Sequence, residues 1–386
     1  MSTTISPRTH LRQLDSDLLN ELVAATGESP CISLYMPMHR KGADTRENHI
    51  RFKSAMKRAV DELGNDNLLG PLMSLEHDND FWQHQLDGLA IFASSGRTYV
   101  VRLPRPVKEK VAVADSFHVK PLIRILQAAG RYHLLTITQK SVHLFEGDME
   151  GLHEVALDEG VPKSITEALG DQVEGEINVH SYGGLAAPGM FHGHSDKKDE
   201  RDAELERYFR VVDKAIYDHH MRGSDLPLYL AADVDYHDRF HKASHHPRLQ
   251  DKGVRVNPDA QEVDAKRLLE EMQELTRPAY DQEIDTLIEH FGNAKAKAEG
   301  SDDLDKVAEA AVAGKIFSIL LDGDRSVGGT VDPATGKVKL SKESKPDVDD
   351  VLDDIAELAL RTGAKVRVIP GDKHPTDSGV AAVFRY

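Results

Sequence analysis

The chain has 386 residues, 40% of them hydrophobic, so it is long enough for two or three α/β domains with cores of their own. Cys31 is the single cysteine, which excludes an internal disulfide and is typical of a reducing compartment. No apolar run approaches the roughly 20 residues of a membrane-spanning helix, and the polar start Met1–Leu14 indicates no signal peptide. We therefore expect a cytoplasmic protein with no membrane partner.

The net charge of −17 argues against a nucleic-acid partner, because polyanions repel an acidic protein. The distribution of the charge weakens that objection. Residues 1–125 contain 16 Lys and Arg against 15 Asp and Glu, so by difference from the totals of 48 and 65 the remainder contains 32 against 50. Contact with RNA is therefore easiest to place in the first third of the chain. The acidic remainder of the chain would have to approach RNA through local basic patches, or else bind a protein partner.

A first α/β domain is predicted over residues 1–128. Its helices alternate with short apolar strands that end at turn residues. The predicted elements are a helix over 15–25, a strand over 31–36 that ends at Pro37, a helix over 45–63, strands over 87–93 and 97–103, and a helix over 117–129.

The helix over 45–63 has one apolar side, which includes Phe52, Ala55 and Met56. Its other side is basic. The ordinary interpretation is a solvated face, and the functional one is a surface that contacts phosphates. The basic side chains are those of Arg46, Arg51, Lys53, Lys57 and Arg58.

A second domain is predicted over residues 129–262, with a glycine-rich loop at 180–195. The helix that follows this loop has apolar residues at helical spacing from Leu205 to Ile216. A polar segment rich in histidine, 237–258, ends the domain. The regular elements are strands over 133–138, 141–145 and 152–157, a helix over 163–169, a helix over 199–221 and a strand over 226–231.

A third domain is predicted over residues 263–386. Helices and apolar strands alternate in it, which is typical of an α-β-α sandwich, and a Gly/Asp/Lys-rich excursion covers 322–347. The fold class is thus mixed α/β. The elements are helices over 260–275, 279–291, 304–313 and 348–361, and strands over 316–321, 365–369 and 380–386.

The glycine-rich loop cannot be a regular element, and its glycines permit positive φ and close approach to another molecule. A flexible hairpin without a special role is the alternative. No Gly-Lys-Ser/Thr follows, as a phosphate-binding P-loop would require, and a dinucleotide fingerprint is absent.

Other candidate sites have weaker support. Histidine pairs such as His219-His220 could bind a metal, but cysteine ligands and a His-Glu-x-x-His motif are missing, so no metal site is predicted. Asp233 and Asp235 follow a strand and could hold Mg²⁺ for nuclease chemistry, although acidic residues also end strands because loops are solvated. Cys31 lies within an apolar strand and is interpreted as a core residue.

Several motifs follow one another in a distinctive order along nearly the whole chain. They are Cys31–Pro37, Phe52-Lys53-Ser54, Phe117–Leu122, Arg207–Arg210, Gly314–Leu321, Gly363–Val366 and Ser378–Tyr386. In this order they resemble the class-1 release factors of archaea and eukaryotes and the Pelota-type rescue factors. Within bacteria, the arrangement looks like the archaeo-eukaryotic-release-factor-like families, and more distantly like the Balon-type hibernation factors.

The resemblance implies a three-domain protein with an RNase-H-like central domain, which mimics tRNA in the ribosomal A site. The first domain would contact small-subunit rRNA through Arg40, Lys41, Arg46, Arg51 and Lys53. The third would face either an elongation-type GTPase or the stalk base. The central loop would contact large-subunit rRNA. Its contact residues would be Tyr182, Gly183, Gly184, Leu185, Pro188, Gly189, Met190, His192 and His194.

The loop departs from the release-factor pattern at one position. Gly-Gly-Gln, whose glutamine helps to position the attacking water, is here Gly183-Gly184-Leu185. A leucine side chain has neither donor nor acceptor, so it can neither orient water nor stabilise an oxyanion. No catalytic residue and no cofactor are therefore expected.

The leading hypothesis is a monomeric, non-hydrolytic factor that occupies the A site of idle or stalled ribosomes, in hibernation or rescue. The first alternative is an enzyme, either a release-factor-like peptidyl-tRNA hydrolase or a metal-dependent nuclease using Asp233 and Asp235. The second alternative is a stress-response adaptor that does not bind ribosomes. If the protein itself covers the basic residues of the 45–63 helix, the RNA contact fails.

Overall fold

The computed structural model describes residues 9–25, 28–40, 45–127, 130–170, 194–257, 263–341 and 349–386. The chain groups into two compact units, one drawn from residues up to 129 and from 281 onwards, the other from residues 130–280. The predicted mixed α/β fold is confirmed: within the described ranges there are sheets of five, five and four strands and a two-stranded hairpin. The division into domains at 1–128, 129–262 and 263–386 stays a prediction.

The first sheet has the strand order β1-β4-β3-β2-β5. β2 lies between β3 and β5 and is antiparallel to both, with Leu34 opposite Ile91 and Val111. Every position of β3 is buried, as expected of a strand covered on both faces. The strands are β1 (Thr9–Arg12), β2 (Cys31–Pro37), β3 (Gly88–Ala93), β4 (Thr98–Leu103) and β5 (Lys110–Ala114).

Helices cover both faces of this sheet. Along β2, Leu34 packs with α2 (Thr45–Leu63), and its neighbour Tyr35 belongs to the core of the opposite face with α1 (Ser16–Val23) and α4 (Lys120–Leu126). The alternation follows from the two-residue period of a strand. The buried side of α2 is the apolar side predicted from its sequence. A 3₁₀ helix over Gly70–His77 and the short α3 (Asn79–Gln83) follow α2.

The central sheet has the order β10-β9-β6-β7-β8. α6 packs on one face through a continuous apolar stripe that includes Tyr208, Phe209 and Val212, and Leu268 and Met272 of α8 pack on the other. The elements are β6 (Tyr132–Ile137), β7 (Val142–Gly147), β8 (Leu152–Val155), α5 (Ile165–Leu169), α6 (His194–Ile216), β9 (Leu228–Ala232), α7 (Val234–Ala243), β10 (Val254–Arg255) and α8 (Ala265–Ala296).

The C-terminal sheet has the order β11-β16-β12-β15, with β12 parallel to β15 and antiparallel to β16. α9 and α10 pack together on one face, while His290 of α8 contacts Phe317 on the other, which gives the predicted α-β-α sandwich. The elements are β11 (Gly300–Ser301), α9 (Leu304–Val312), β12 (Ile316–Asp322), β13 (Gly329–Val331), β14 (Val338–Leu340), α10 (Val351–Arg361), β15 (Lys365–Ile369) and β16 (Val380–Phe384).

Two predicted elements differ from the structure. The predicted helices over 260–275 and 279–291 are one helix, α8, which continues through the exposed Pro278. The polar segment predicted over 237–258 begins inside a helix, because Tyr236, Phe240 and Ala243 form a buried stripe on α7 (Val234–Ala243). α8 is the longest helix, yet no helix among the described residues is both long and apolar enough to cross a membrane.

A buried ionic network joins the start of α4 to the start of α10. Lys120 is 6% exposed, and its ammonium donates to Asp350 Oδ2 at 2.6 Å and to the carbonyl of Arg325 at 2.7 Å. Asp353 is 1% exposed, and its Oδ1 accepts from the backbone amides of Val119 at 2.8 Å and Lys120 at 2.5 Å. The Phe117–Leu122 motif therefore attaches the start of α4 to the start of α10 inside this unit.

The pKa values of neighbouring buried carboxylates are shifted in opposite directions. Burial would raise the pKa of Asp350, but the Lys120 ammonium, followed by His118, holds it below its ordinary value. For Asp354, burial, followed by the charge of Asp349, raises the pKa to about 9. Burial likewise raises the pKa of Glu357 to about 7. Asp354 is consequently protonated in the folded protein at neutral pH.

Replacing Lys120 by alanine should destabilise this unit by about 3–5 kcal/mol, because the carboxylate of Asp350 then stays buried without its partner. Lys108→Ala is the control: Lys108 is exposed and meets Asp324 only at 3.5 Å, so the loss should stay below about 1 kcal/mol. Urea unfolding followed by the fluorescence of Trp82, the single tryptophan, reports on the same unit. Equal losses in the two variants would contradict the role assigned to the network.

Asp354 should make stability depend on pH. Its carboxyl ionises in the unfolded chain near the ordinary aspartate pKa of 3.8 and in the folded chain only near 9, so its contribution to stability is lost progressively as the pH rises between these values. Asp354→Asn cannot ionise. The variant should therefore gain stability over the natural protein between pH 5 and pH 8, by at most about 1.4 kcal/mol per pH unit.

The measurement is urea unfolding followed by Trp82 at both pH values, with Asp332→Asn as control. Hydrogen bonds from the backbone amides of Ala334 and Thr335 lower the pKa of the exposed Asp332. Asp332 therefore ionises below pH 5, and its replacement should not change how stability varies between pH 5 and pH 8. A difference between Asp354→Asn and the natural protein that stays constant with pH would refute the assignment.

Candidate nucleic-acid interface

The solvent side of α2 presents a row of side chains one helical turn apart. We call Arg46, Ile50, Lys53 and Lys57 the outer stripe of α2. Ile50 is 68% exposed, and both Arg46 and Lys57 are exposed. From Arg46 to Arg58 the helix carries five cations and one carboxylate, Glu47. The stripe therefore offers positive charge beside an accessible apolar side chain.

Carboxylates from other segments neutralise part of this charge. Lys53 Nζ lies 2.7 Å from Glu76 Oε1, and Arg58 Nη2 lies 2.5 Å from Glu109 Oε1. Exposed pairs of this kind contribute about 0–1 kcal/mol, so a phosphate can replace the carboxylate at little cost. Arg46 and Lys57 form no ion pair within the described part of the chain. The protein thus covers the predicted basic face only in part.

Two of the predicted RNA-contacting arginines are bound to the protein itself. Arg40 Nε and Nη2 donate to the two carboxylate oxygens of Asp87 at 2.7 and 2.8 Å, a bidentate pair that fixes the end of β2 to the start of β3. Arg51 donates to Glu47 at 2.6 Å and to the carbonyl of Pro37 at 3.1 Å. Both arginines hold loop backbone in place, so their charges are less available than those of the outer stripe.

The remaining predicted contacts lie outside the described residues. Lys41 falls in the gap before α2. The central-loop residues Tyr182, Gly183, Gly184, Leu185, Pro188, Gly189, Met190 and His192 fall in the gap before α6. His194 is the first residue of α6, and only its backbone is described. The assignment of this loop to large-subunit rRNA stays a prediction.

Two of the candidate catalytic groups, Asp233 and Cys31, have structural roles. Asp233 caps α7, with its side chain accepting from the amide of Asp235, which accounts for a carboxylate at the end of β9. Burial raises the pKa of the Cys31 thiol to about 12, so this group is not an activated thiolate. Among the described residues, no group of three His, Cys, Asp or Glu side chains is arranged to hold a metal ion.

A second basic surface lies in the central unit, and of its residues only Arg210 belongs to one of the motifs. Arg210 and Lys214 are one turn apart on α6, Tyr217 follows in the next turn, and Lys242 faces them from the end of α7. The spacing of Arg210, Lys214 and Tyr217 at i, i+4 and i+7 was the available signal in the sequence. Lys242 could not be found in this way, because its position depends on how α7 packs against α6.

Residues 131–315 match the model of bacterial archaeo-eukaryotic release factor family 3. The match covers the central segment and extends to the end of α9. It confirms the resemblance to the bacterial release-factor-like families that the order of the motifs indicated. No curated protein matches the chain.

Similar solved structures include an archaeal translation termination factor, aRF1, with 14% identity, coverage of 96% of this chain and 97% of that one, and a TM-score of 0.26. Pelota of Archaeoglobus fulgidus has 12% identity, coverage of 77% and 79%, and a TM-score of 0.27. Dom34 of S. cerevisiae has 11% identity, coverage of 66% and 63%, and a TM-score of 0.32. These TM-scores are too low to support an argument, so the resemblance to the release-factor-like families rests on the family match over residues 131–315.

Substitution of the paired Arg40 and of the exposed Arg46 should change the free energy of unfolding by different amounts. Arg40→Ala removes a bidentate pair and should lower the free energy of unfolding by about 1–2 kcal/mol. Arg46→Ala removes an exposed cation without an ion-pair partner in the described chain and should change it by less than about 0.5 kcal/mol. Urea unfolding followed by Trp82 measures both. An equal loss of stability would mean that Arg46 is also structural.

Proposed function

We propose that this protein is a ribosome-binding translation factor of the release-factor type, which occupies the A site of idle or stalled ribosomes in hibernation or rescue. The observation that carries the proposal is the family match over residues 131–315, because that segment contains the glycine-rich loop. The loop reads Gly183-Gly184-Leu185 and lacks the side-chain amide that hydrolysis requires. On this proposal the factor blocks the catalytic centre without releasing peptide.

The outer stripe of α2 supports contact with RNA. The stripe is suited to bind phosphates through Arg46 and Lys57, which form no ion pair with any described residue, and through the exchangeable Lys53–Glu76 pair. Ile50 adds apolar surface for a base or ribose. The net charge of −17 does not prevent this, because charges more than about 8 Å apart are largely screened at physiological ionic strength. Local charge near the contact decides binding.

The proposal extends to partners and location. An A-site factor works in the cytoplasm, which agrees with the single buried cysteine. As a monomer it would approach the ribosome alone or with an elongation-type GTPase that contacts the C-terminal sandwich. A role in the stress response follows if idle ribosomes are its target.

Ribosome binding is tested by sedimentation of the purified protein with vacant bacterial ribosomes through a sucrose cushion. The protein should appear in the ribosomal pellet, and Arg46→Glu with Lys57→Glu should weaken binding at least tenfold. The matched control is Lys306→Glu with Lys337→Glu, which reverses two exposed charges in the C-terminal segment and should bind like the natural protein. Absence of the natural protein from the pellet at both low and moderate salt would contradict the proposal.

The absence of hydrolysis is tested separately with stalled ribosomes that carry labelled peptidyl-tRNA. The natural protein should leave the label on tRNA at the background rate. Release by the natural protein that disappears on replacing Gly183 and Gly184 by alanine would establish the hydrolase alternative instead. Release that persists in that variant would point to a group outside the loop, and would equally contradict a non-hydrolytic factor.

A further inference from the structure

The central unit contains an open cavity of about 710 Å³ between the end of α6 and the segment after α7. This volume lies within the range of about 300–1,000 Å³ that is typical of small-molecule sites. Residues of both walls line it, and three of them are cations: Arg210, Lys214 and Lys242. The described residues that line it belong neither to α2 nor to the glycine-rich segment of the sequence.

A buried carboxylate holds the two walls together. Asp213 is 8% exposed; its Oδ1 accepts from Ser244 Oγ at 2.6 Å, and its Oδ2 accepts from the amide of His245 at 3.0 Å. These bonds fix the segment after α7 to α6. Both carboxylate oxygens of Asp213 are thus engaged in hydrogen bonds inside the wall.

The cations at the rim are accessible. Arg210, Lys214 and Lys242 are all exposed. Arg210 has one carboxylate neighbour, Glu206, at 3.4 Å in an exposed pair on the same helix. Lys214 and Lys242 form no ion pair with any residue that the structure describes. Three cations around one open cavity attract an anion of comparable charge, such as a phosphate.

Aromatic rings lie beside the cations. Tyr217 is 37% exposed, and its ring meets the ring of His246 edge to face, with centroids 5.4 Å apart. Tyr217 belongs to a π-helical turn, a local distortion that is frequent at functional sites. An exposed aromatic next to a phosphate-binding group is the combination that recognises a nucleotide, because a base can stack where its phosphate is held.

His246 supplies a donor without a partner. Burial, partly offset by Asp213, lowers the pKa of His246, so its ring is neutral at neutral pH. Its Nδ1 accepts from the amide of Arg248 at 3.2 Å, which assigns the proton to Nε2. Nε2 is buried and has no hydrogen-bond partner among the described residues.

We propose that this cavity binds a nucleotide, with its phosphate on Lys214, Lys242 and Arg210 and its base against Tyr217. The nucleotide is either free in solution or part of an RNA strand, since both present the same phosphate and base. Binding here goes beyond the proposed ribosomal role and does not depend on it.

The test uses the full chain and two probes: AMP by titration calorimetry, and a fluorescently labelled single-stranded hexanucleotide RNA by polarisation. At least one probe should bind, and Lys214→Glu with Lys242→Glu should weaken its binding at least tenfold. Lys306→Glu with Lys337→Glu, which changes the same number of exposed charges, should leave it unchanged. Binding of both probes indicates a free nucleotide site, whereas binding of RNA alone indicates a strand.

Tyr217 distinguishes a nucleotide from a bare anion. Tyr217→Ala should weaken nucleotide binding at least fivefold, Tyr217→Phe should retain it, and binding of inorganic phosphate should be the same in both variants. Thermal unfolding confirms that each variant is folded.

The proposal is overturned if neither probe binds at low salt, or if the Lys214/Lys242 variant binds like the natural protein. It is also overturned if Tyr217→Ala has no effect. Ribosome sedimentation with the α2 variants gives a separate result, so the failure of one proposal is distinguishable from the failure of the other.

Discussion

The ion pair between Lys120 and Asp350 is the constraint on which the larger unit depends. Both groups are almost completely buried, and neither is tolerable in the protein interior without the other. The adjacent carboxylate of Asp353 binds the amides of Val119 and Lys120, so backbone as well as side chain is held. Residues more than 200 positions apart in the sequence therefore share one hydrophobic core, in which Phe117 and Leu122 pack with Leu352 and Ile355.

The network also shows how an acidic chain can keep a basic surface. Several carboxylates of the C-terminal segment are buried, among them Asp354 and Glu357, which burial tends to neutralise. Their formal charges overstate the negative field that an approaching RNA meets. The outer stripe of α2 and the cavity at Lys214 instead keep their cations exposed. Net charge is consequently a poor guide to partners, whereas the location of each charge is informative.

The sequence predicted those parts of the fold whose signals are local. The apolar face of α2 and the buried strand from Cys31 could be read from periodicity, since each depends on neighbouring residues. Pro278 predicted a break in α8 because it removes a hydrogen bond, but buried residues on both sides, Met272 and Ile284, stabilise one continuous helix. Tertiary packing outweighed a local preference there.

The candidate site was less predictable, because partners distant in sequence decide which cations are available. Arg40 and Arg46 look equivalent in the sequence, yet Asp87, 47 residues away, binds only Arg40. Lys53 and Arg58 likewise meet carboxylates from outside α2, at Glu76 and Glu109. The cavity in the central unit was not predicted, since Lys242 faces Lys214 only once α7 has packed on α6.

A cryo-EM map of the protein added to vacant bacterial ribosomes would locate its binding site. If the protein occupies the A site, as we propose, density for it will be found there. The outer stripe of α2 should lie against small-subunit rRNA, and residues 182–194 should reach the peptidyl-transferase centre. Density at another ribosomal site, or α2 turned towards solvent in the A site, would contradict the proposal.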